Sequence, residues 1–254
     1  MQSSPRYRAP ALEKGLEILE FLAAKTVPMN LSEISDGVGR SKNEIFRMLQ
    51  VLEERGYLAR APGAEGYVLT NRLFLLGMEK PPVKGLLEVA MPIMHRLADD
   101  ILHPCHLAVP SEELIVVIAR VDSPADLGFV VRVGHRRPLP HSTSGLVLFA
   151  FQAEAERTRW LEMLDRKEVR YDRKRFIEKA KAIAAQGHAC VPSELVPGIL
   201  DLSAPIVQHK TAVAALTVPY LDRRPQKVGQ KESIEQLRRA ATQISHALGY
   251  GGPV

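Results

Sequence analysis

Apolar residues recur along the first seventy positions with two different periods, and the change of period divides this region. Leu12, Leu16, Leu19 and Leu22 or Ala23 fall at helical spacing and predict a first helix, which Val27-Pro28-Met29-Asn30 ends. Leu31 to Val38 predicts a second, short helix with Ser32 as its N-cap, and Gly39-Arg40 follows as a tight turn. Ile45, Met48, Leu49 and Leu52 form one stripe at i, i+3, i+4 and i+7, which predicts a third helix. Ser41-Lys42-Asn43-Glu44 has the form of a capping box, with the Ser41 hydroxyl taking an orphan N–H while Glu44 reaches back. The third helix therefore starts at Ser41. After Gly56, a suitable residue just past a helix end, the period drops to two. Tyr57–Arg60 and Tyr67–Thr70 predict two strands around Pro62-Gly63-Ala64-Glu65-Gly66.

A helix, then two helices joined by a glycine turn, then a hairpin is the order of a winged helix-turn-helix domain. That order explains the leading end of the third helix. Arg40, Lys42 and Asn43 crowd around Ser41, and Lys42, Asn43 and Arg47 lie off the apolar stripe. Free amides and the helix dipole favour an anion there, and a DNA phosphate is the obvious one. Double-stranded DNA is the predicted partner, with Arg40, Ser41, Lys42, Asn43 and Arg47 as contacts and Arg60 joining them from the wing. Arg6 and Arg8 precede the first helix, either as an arm along a groove or as a loose tail. The competing reading is a helical head that docks another protein, since a Lys or Arg at a helix start is commonly just solvated.

Beyond the head the pattern alternates between strands and helices. Pro81-Pro82 ends a helix through Leu73–Met78, and Leu86, Leu87, Ala90, Ile93, Met94 and Leu97 predict a linker helix after it. Strands are predicted at Cys105–Val109, Leu114–Val121 and Phe129–Val133, with Pro110-Ser111-Glu112-Glu113 as a turn. Helices follow at Gly145–Phe151, Glu154–Leu164 and Arg173–Gln186, strands at Gly198–Val207 and Ala212–Val218, and a last helix at Glu232–Leu248. The expected class is α+β, with a winged helix-turn-helix domain over 1–72, a linker region over 73–98 and a second domain over 99–254.

Composition agrees with two globular domains: 254 residues, 46% apolar and 25% charged. No apolar run approaches the roughly 18 residues of a membrane span. The start, M-Q-S-S-P-R-Y-R, lacks a secretory apolar region, and two cysteines, Cys105 and Cys190, build no disulfide framework. A cytoplasmic protein is expected. The net charge of +5 invites a nucleic-acid reading, yet residues 1–80 hold 11 Lys/Arg against 10 Asp/Glu. The richer run at 157–181, with 10 basic and 5 acidic residues and pairs such as Glu162–Arg166, reads as a solvated helical face. Local arrangement, not bulk charge, carries the DNA reading.

Chemistry in the second domain centres on His141-Ser142-Thr143-Ser144-Gly145, just before a helix. Hydroxyls and amides at a helix start hold a carboxylate without a lysine; the bland reading is a cap with no ligand. Asp201 and Ser203 share one sheet face by alternation. His103-x-Cys105-His106, with Cys190 and His141, offers metal-type ligands but no paired spacing, so no metal is predicted and Cys105 and His106 become pocket-lining candidates. G-x-S-x-G, G-x-G-x-x-G and phosphate loops are missing, so neither an enzyme nor a cofactor is expected.

Three head segments, A-L-E-K-G-L-E-I-L-E-F-L (11–22), residues 31–58 and Y-V-L-T-N-R-L-F-L-L-G (67–77), resemble the IclR family of bacterial transcription regulators. V-G-H-R-R-P-L-P-H-S-T-S-G-L-V-L-F-A (133–150) is similar to the family's loop and helix at the effector pocket. P-G-I-L-D-L-S-A-P-I-V (197–207) and A-V-A-A-L-T-V-P (212–219) resemble its closing strands. The resemblance implies a GAF-like effector-binding domain behind the linker helix, in a homodimer or dimer of dimers. It implies ligand roles for Thr143 and Ser144, with His141 and Gly145 beside them, and for Asp201, Ser203 and Thr217 on the pocket wall. Two departures stand out: Glu44 and Phe46 replace a common Thr and His, and Gly145-Leu146 replaces a frequent Gly-Lys. The expected function is a sequence-specific DNA-binding regulator whose operator binding responds to a small organic acid.

Overall fold

The computed structural model describes residues 9–61, 65–79, 81–125, 128–129, 131–222 and 228–250, in two compact units, Met1–Val83 and Lys84–Val254. The division falls inside the predicted linker region. Arg6, Arg8 and the wing-tip residues Pro62, Gly63 and Ala64 lie outside the described residues.

The first unit holds α1 (Pro10–Ala23), α2 (Leu31–Val38), α3 (Lys42–Glu54), β1 (Leu58–Arg60), β2 (Tyr67–Leu69) and α4 (Arg72–Glu79). Strands β1 and β2 form an antiparallel ribbon. Ile18, Leu22, Ile34, Ile45, Leu49, Leu58 and Tyr67 form a small core, none more than 3% exposed. The predicted stripe on α3 is real on its Ile45–Leu49 edge, while Met48 and Leu52 are only partly buried. The N-cap of α2 is Asn30, not Ser32. Asn30 Oδ1 accepts the N–H groups of Ser32 at 2.9 Å and Glu33 at 3.0 Å, and Glu33 returns a bond to Asn30 N–H at 2.7 Å. Ser32 fails as the cap because Leu31 is already helical, leaving Ser32 within the first turn. Gly39 makes the turn into α3 at φ +64°, a left-handed conformation that suits glycine.

The second unit holds α5 (Pro81–Ile101, which begins just before the division), β3 (Cys105–Ser111), β4 (Leu114–Val121), β5 (Arg136–Pro138), α6 (Thr143–Ala150), α7 (Glu154–Arg166), α8 (Arg173–Gln186), β6 (Ala189–Pro192), β7 (Ile199–Gln208), β8 (Thr211–Leu221) and α9 (Gln230–Tyr250). The strands form one six-stranded antiparallel sheet in the order β5-β4-β3-β8-β7-β6. The class is α+β, as predicted. All eight residues of α6 are buried, packed between the β7–β8 region and α8, with Phe149 against Phe176 at 4.7 Å. Helix α9 packs along β7.

Two strands differ from expectation. Phe129–Val133 is not a strand: among its described residues the backbone is irregular, and the partner of β4 on the side away from β3 is β5, several residues later. Gly134, at φ +84°, turns the chain so that His135 O accepts the Val117 N–H at 3.0 Å. The apolar side chain of Val131 is satisfied by packing on the core from this loop, without a ladder. The short edge strand β6 was not anticipated, because four residues carry too little period to register. Among the described residues no helix is long and apolar enough to cross a membrane.

Candidate functional site

The first site is the leading end of α3. Ser41 is its N-cap, and the Glu44 half of the predicted capping box forms, whereas the Ser41 hydroxyl donates to Glu44 rather than taking a backbone N–H. Glu44 accepts the Ser41 N–H at 3.1 Å and the Ser41 hydroxyl at 2.8 Å, and its other oxygen pairs with Lys14 Nζ of α1 at 2.9 Å. Lys14 first, then Ser41, hold the Glu44 carboxyl down at about 2. Arg40 is likewise drawn to α1: Nε and Nη2 donate to the two Glu17 oxygens at 3.1 and 2.9 Å, a bidentate pair that lowers the Glu17 carboxyl. Arg60 donates to Glu53 at 3.2 Å and to the Tyr67 hydroxyl at 2.6 Å, and lies 4.1 Å over the Tyr67 ring.

The six predicted contact residues therefore divide. Lys42, Asn43 and Arg47 are exposed, with no side-chain bond or ion pair among the described residues, whereas Arg40 and Arg60 are engaged by neighbours and Ser41 by its own cap. Two cationic side chains and an amide thus stand free at a helix start, which favours an anion through the dipole and unmet charge.

The second site lies under α6. Strand pairing places Ser203 opposite Thr217 and Thr217 opposite His106, so the three share one sheet face in a row across β7, β8 and β3. Helix α6 lays its first turn over that row. Ser144 Oγ bonds Thr217 Oγ1 at 2.9 Å, Thr217 bonds Ser203 Oγ at 2.8 Å, and Thr143 donates to Asp201 Oδ2 at 2.9 Å. Ser142 caps the helix by accepting the Gly145 N–H at 2.9 Å.

Above this network is a cavity of about 510 Å³ including its mouth, lined on the polar side by His106, His135, Arg137, His141, Ser142, Thr143, Ser144, Ser193, Glu194, Asp201 and Thr217. The apolar wall comes from Ile115, Val117, Phe129, Val131, Leu195 and Pro219. Burial pushes His106 down to about 4, aided by His135, so it is neutral at ordinary pH. Burial raises the Asp201 carboxyl, against the hydroxyls of Thr143 and Ser193 and the charge of Arg137, which lower it. Arg137 meets Glu194 at 3.5 Å, and His141 bonds Arg170 O through Nε2 at 2.8 Å. His106 Nδ1 and His135 Nε2 are buried with no hydrogen-bond partner.

Of the predicted pocket residues, His106, His141, Thr143, Ser144, Asp201 and Thr217 line the cavity. Cys105 does not. Strand alternation turns it to the sheet face opposite His106, where Sγ reaches Met94 O of α5 at 3.6 Å and burial raises its thiol to about 12. Gly145 also stays out of the lining: its Cα abuts Leu139, whose carbonyl oxygen would clash with any added Cβ. Ser203 is wholly buried beneath Thr217. His103 is structural, with its ring nitrogens at 2.8 Å from Ile101 O and 3.0 Å from Leu221 O. Among the described residues no three His, Cys, Asp or Glu side chains converge as metal ligands.

Sequence reasoning missed His135, Arg137, Ser193 and Glu194 as pocket residues. The H-R-R-P run just before the His141 cluster carried a signal for the first two, being the strand that leads into it. Ser193 and Glu194 follow the unpredicted β6 and had no local signal.

Residues 11–62 match the IclR helix-turn-helix domain, and residues 83–246 match the bacterial transcriptional regulator IclR C-terminal domain. The transcriptional regulator KdgR of Escherichia coli K12 is 27% identical over 230 residues, which cover 87% of this chain and 86% of KdgR. A putative transcriptional regulator of Rhodococcus sp. RHA1 superposes with a TM-score of 0.79 at 24% identity, over 96% of this chain and 100% of that one. An IclR homolog of Microbacterium hydrocarbonoxydans, solved in complex with 4-hydroxybenzoate, has a TM-score of 0.79 at 21% identity, over 95% and 100%. Those structures establish the shared fold. Matched in order by both family domains, the chain belongs to the IclR family of bacterial transcriptional regulators, with a DNA-binding helix-turn-helix head and the family's C-terminal α+β domain.

Proposed function

We propose that this regulator grips a duplex operator with the leading end of α3, and that a small organic acid in the pocket under α6 changes that grip. One observation carries the pocket reading: His106 Nδ1 and His135 Nε2 are buried at a cavity with nothing to bond. A buried unpaired polar group costs about 1–3 kcal/mol, so the site suits a ligand that supplies the missing bonds. Arg137 is the cation for the acid, because its contact with Glu194 is long at 3.5 Å and a carboxylate competes for the guanidinium. The opposite apolar wall takes the ligand's body. The relative bound to 4-hydroxybenzoate, an acid with a second polar group, supports a two-ended ligand of this kind.

At the head, Lys42, Asn43 and Arg47 make the DNA contacts, while Arg40 and Arg60 shape the surface that presents them. Leu12 and Leu16 of α1 and Phe74 and Leu75 of α4 are 49–63% exposed and offer apolar surface to a second copy, so that paired heads read a pseudo-palindrome. The effector acts by binding one arrangement of the heads better than the other. The chain works in the cytoplasm, where its DNA lies.

Gel retardation with the DNA flanking its own gene, at physiological salt, tests the head; retardation is expected. Thermal shift against 4-hydroxybenzoate and a panel of small carboxylates tests the pocket, since a ligand selective for the folded state raises the melting temperature. A stabilising acid that also stabilises a His106→Phe, Arg137→Ala variant equally overturns the pocket assignment. No retardation of any duplex favours a head that docks protein instead.

A further inference from the structure

The exposed surface of α3 carries two large apolar side chains, Phe46 near its leading end and Val51 further along. Lys42, Asn43, Arg47 and Gln50 are exposed, and among them stands Phe46, a residue 43% exposed, while Ile45 and Leu49 on the other face are completely buried. Phe46 is not among the residues that pack on the head's core. Asn43, Phe46, Arg47 and Gln50 fall at i, i+3, i+4 and i+7, so the phenyl ring lies in the same stripe as the free amide and guanidinium. A long side chain on a helix leans toward its N-terminus, which tilts this ring toward the end that carries Lys42 and Asn43.

An exposed phenylalanine alone needs no explanation. Its position in this stripe does. Whatever Lys42, Asn43 and Arg47 approach, Phe46 approaches with them, and on the DNA-binding reading of the head that surface is a major groove. The major groove admits a helix, and its only apolar feature is the C5-methyl group of thymine. We infer that Phe46 is a specificity-determining residue that reads a thymine methyl in the operator. The flanking cations set affinity for the duplex through phosphates, and the ring adds preference for one base without adding charge.

The experiment selects duplexes from a random pool with the full-length protein, then replaces each thymine of the winning sequence, one at a time, by deoxyuridine. That change removes the methyl and leaves every hydrogen-bonding edge in place. The wild-type protein should lose about threefold to fivefold in affinity at one thymine per half-site, the worth of one buried methyl group. Phe46→Ala should bind the thymine duplex that much more weakly, show no further loss on the uracil duplex, and keep the wild-type salt dependence. Phe46→Leu, which stays apolar, should retain part of the discrimination. Equal wild-type affinity for all the uracil duplexes overturns the inference, as does a Phe46→Ala protein that still senses the methyl. Failure of the wild type to enrich or retain any duplex at low salt is a separate result: it removes the DNA-binding reading itself and this inference with it.

Discussion

The helices α3 and α6 open in the same way and end up in opposite surroundings. Each is capped by a serine, Ser41 and Ser142, in extended conformation. Lys42 then corresponds to Thr143, Asn43 to Ser144 and Glu44 to Gly145. In α3 all three are exposed, while in α6 the first two are no more than 7% exposed and the third is packed on Leu139. A helix start attracts anions in both cases, but the company differs. Exposed cations suit a long, hydrated polyanion, whose affinity comes from charge. Neutral hydroxyls in a closed network suit a small ligand, whose affinity comes from fit and directed hydrogen bonds.

The largest effect that would break the parallel is at the third helical position. Gly145→Ala places a Cβ against the Leu139 carbonyl, and we expect the second unit to lose about 3 kcal/mol or more in denaturant unfolding. Asn43→Ala, one position earlier on α3, should change stability by less than about 0.5 kcal/mol, since it is exposed and unbonded. A mild Gly145→Ala would show that α6 is not seated as described.

Acid comes next. His106 is pushed from 6.5 to about 4, so between those values the unfolded chain takes up a proton that the folded chain refuses. Stability should therefore fall as pH drops through that window, by up to about 3 kcal/mol, and His106→Gln should remove this slope. Asp201 works the other way: its raised carboxyl protonates more readily in the folded state, so its contribution grows as pH falls toward 3.8. At the α3 end, Glu44 is lowered from 4.5 to about 2, and its contribution is present above 4.5 and lost as pH falls between these values. The two helix starts should thus respond in different windows, the pocket first. Chemical denaturation of wild type and His106→Gln at several pH values checks this.

A smaller effect sharpens the comparison at the second position. Ser144→Ala removes one bond from Thr217, which keeps Ser203, and should cost about 1–2 kcal/mol. DNA affinity without effector should be unaltered. A cost of zero in thermal and chemical unfolding would mean the hydroxyl chain contributes nothing to the sheet.

Much of this was legible in the chain. The cap and stripe of α3 are local, written within a dozen residues, and the hairpin after Gly56 follows the same logic. The pocket is legible only in part, because its wall joins residues more than seventy positions apart, such as Ser144 and Thr217. Alternation put Asp201 and Ser203 on one face correctly, yet it could not say that Ser203 lies beneath Thr217, or that Cys105 turns away toward α5. Arg40 shows the limit at the head. Its type and place suggest a DNA contact, and only the approach of Glu17 from α1 reveals a structural tie. The segment Phe129–Val133 misled because, among its described apolar residues, only Val131 packs on the core while Phe129 is half-buried and Val133 exposed, and none of the three joins a strand.

The account stands on the claim that the free cations at the start of α3 meet phosphates. Its direct test is the salt dependence of duplex binding by fluorescence anisotropy, comparing wild type with Lys42→Ala and with Thr143→Val as the matching change at α6. Each phosphate neutralised contributes about −0.9 to the slope of log affinity against log salt on duplex DNA. The account predicts that Lys42→Ala flattens the slope by about that one unit while Thr143→Val leaves it alone. An unchanged slope in Lys42→Ala would contradict it.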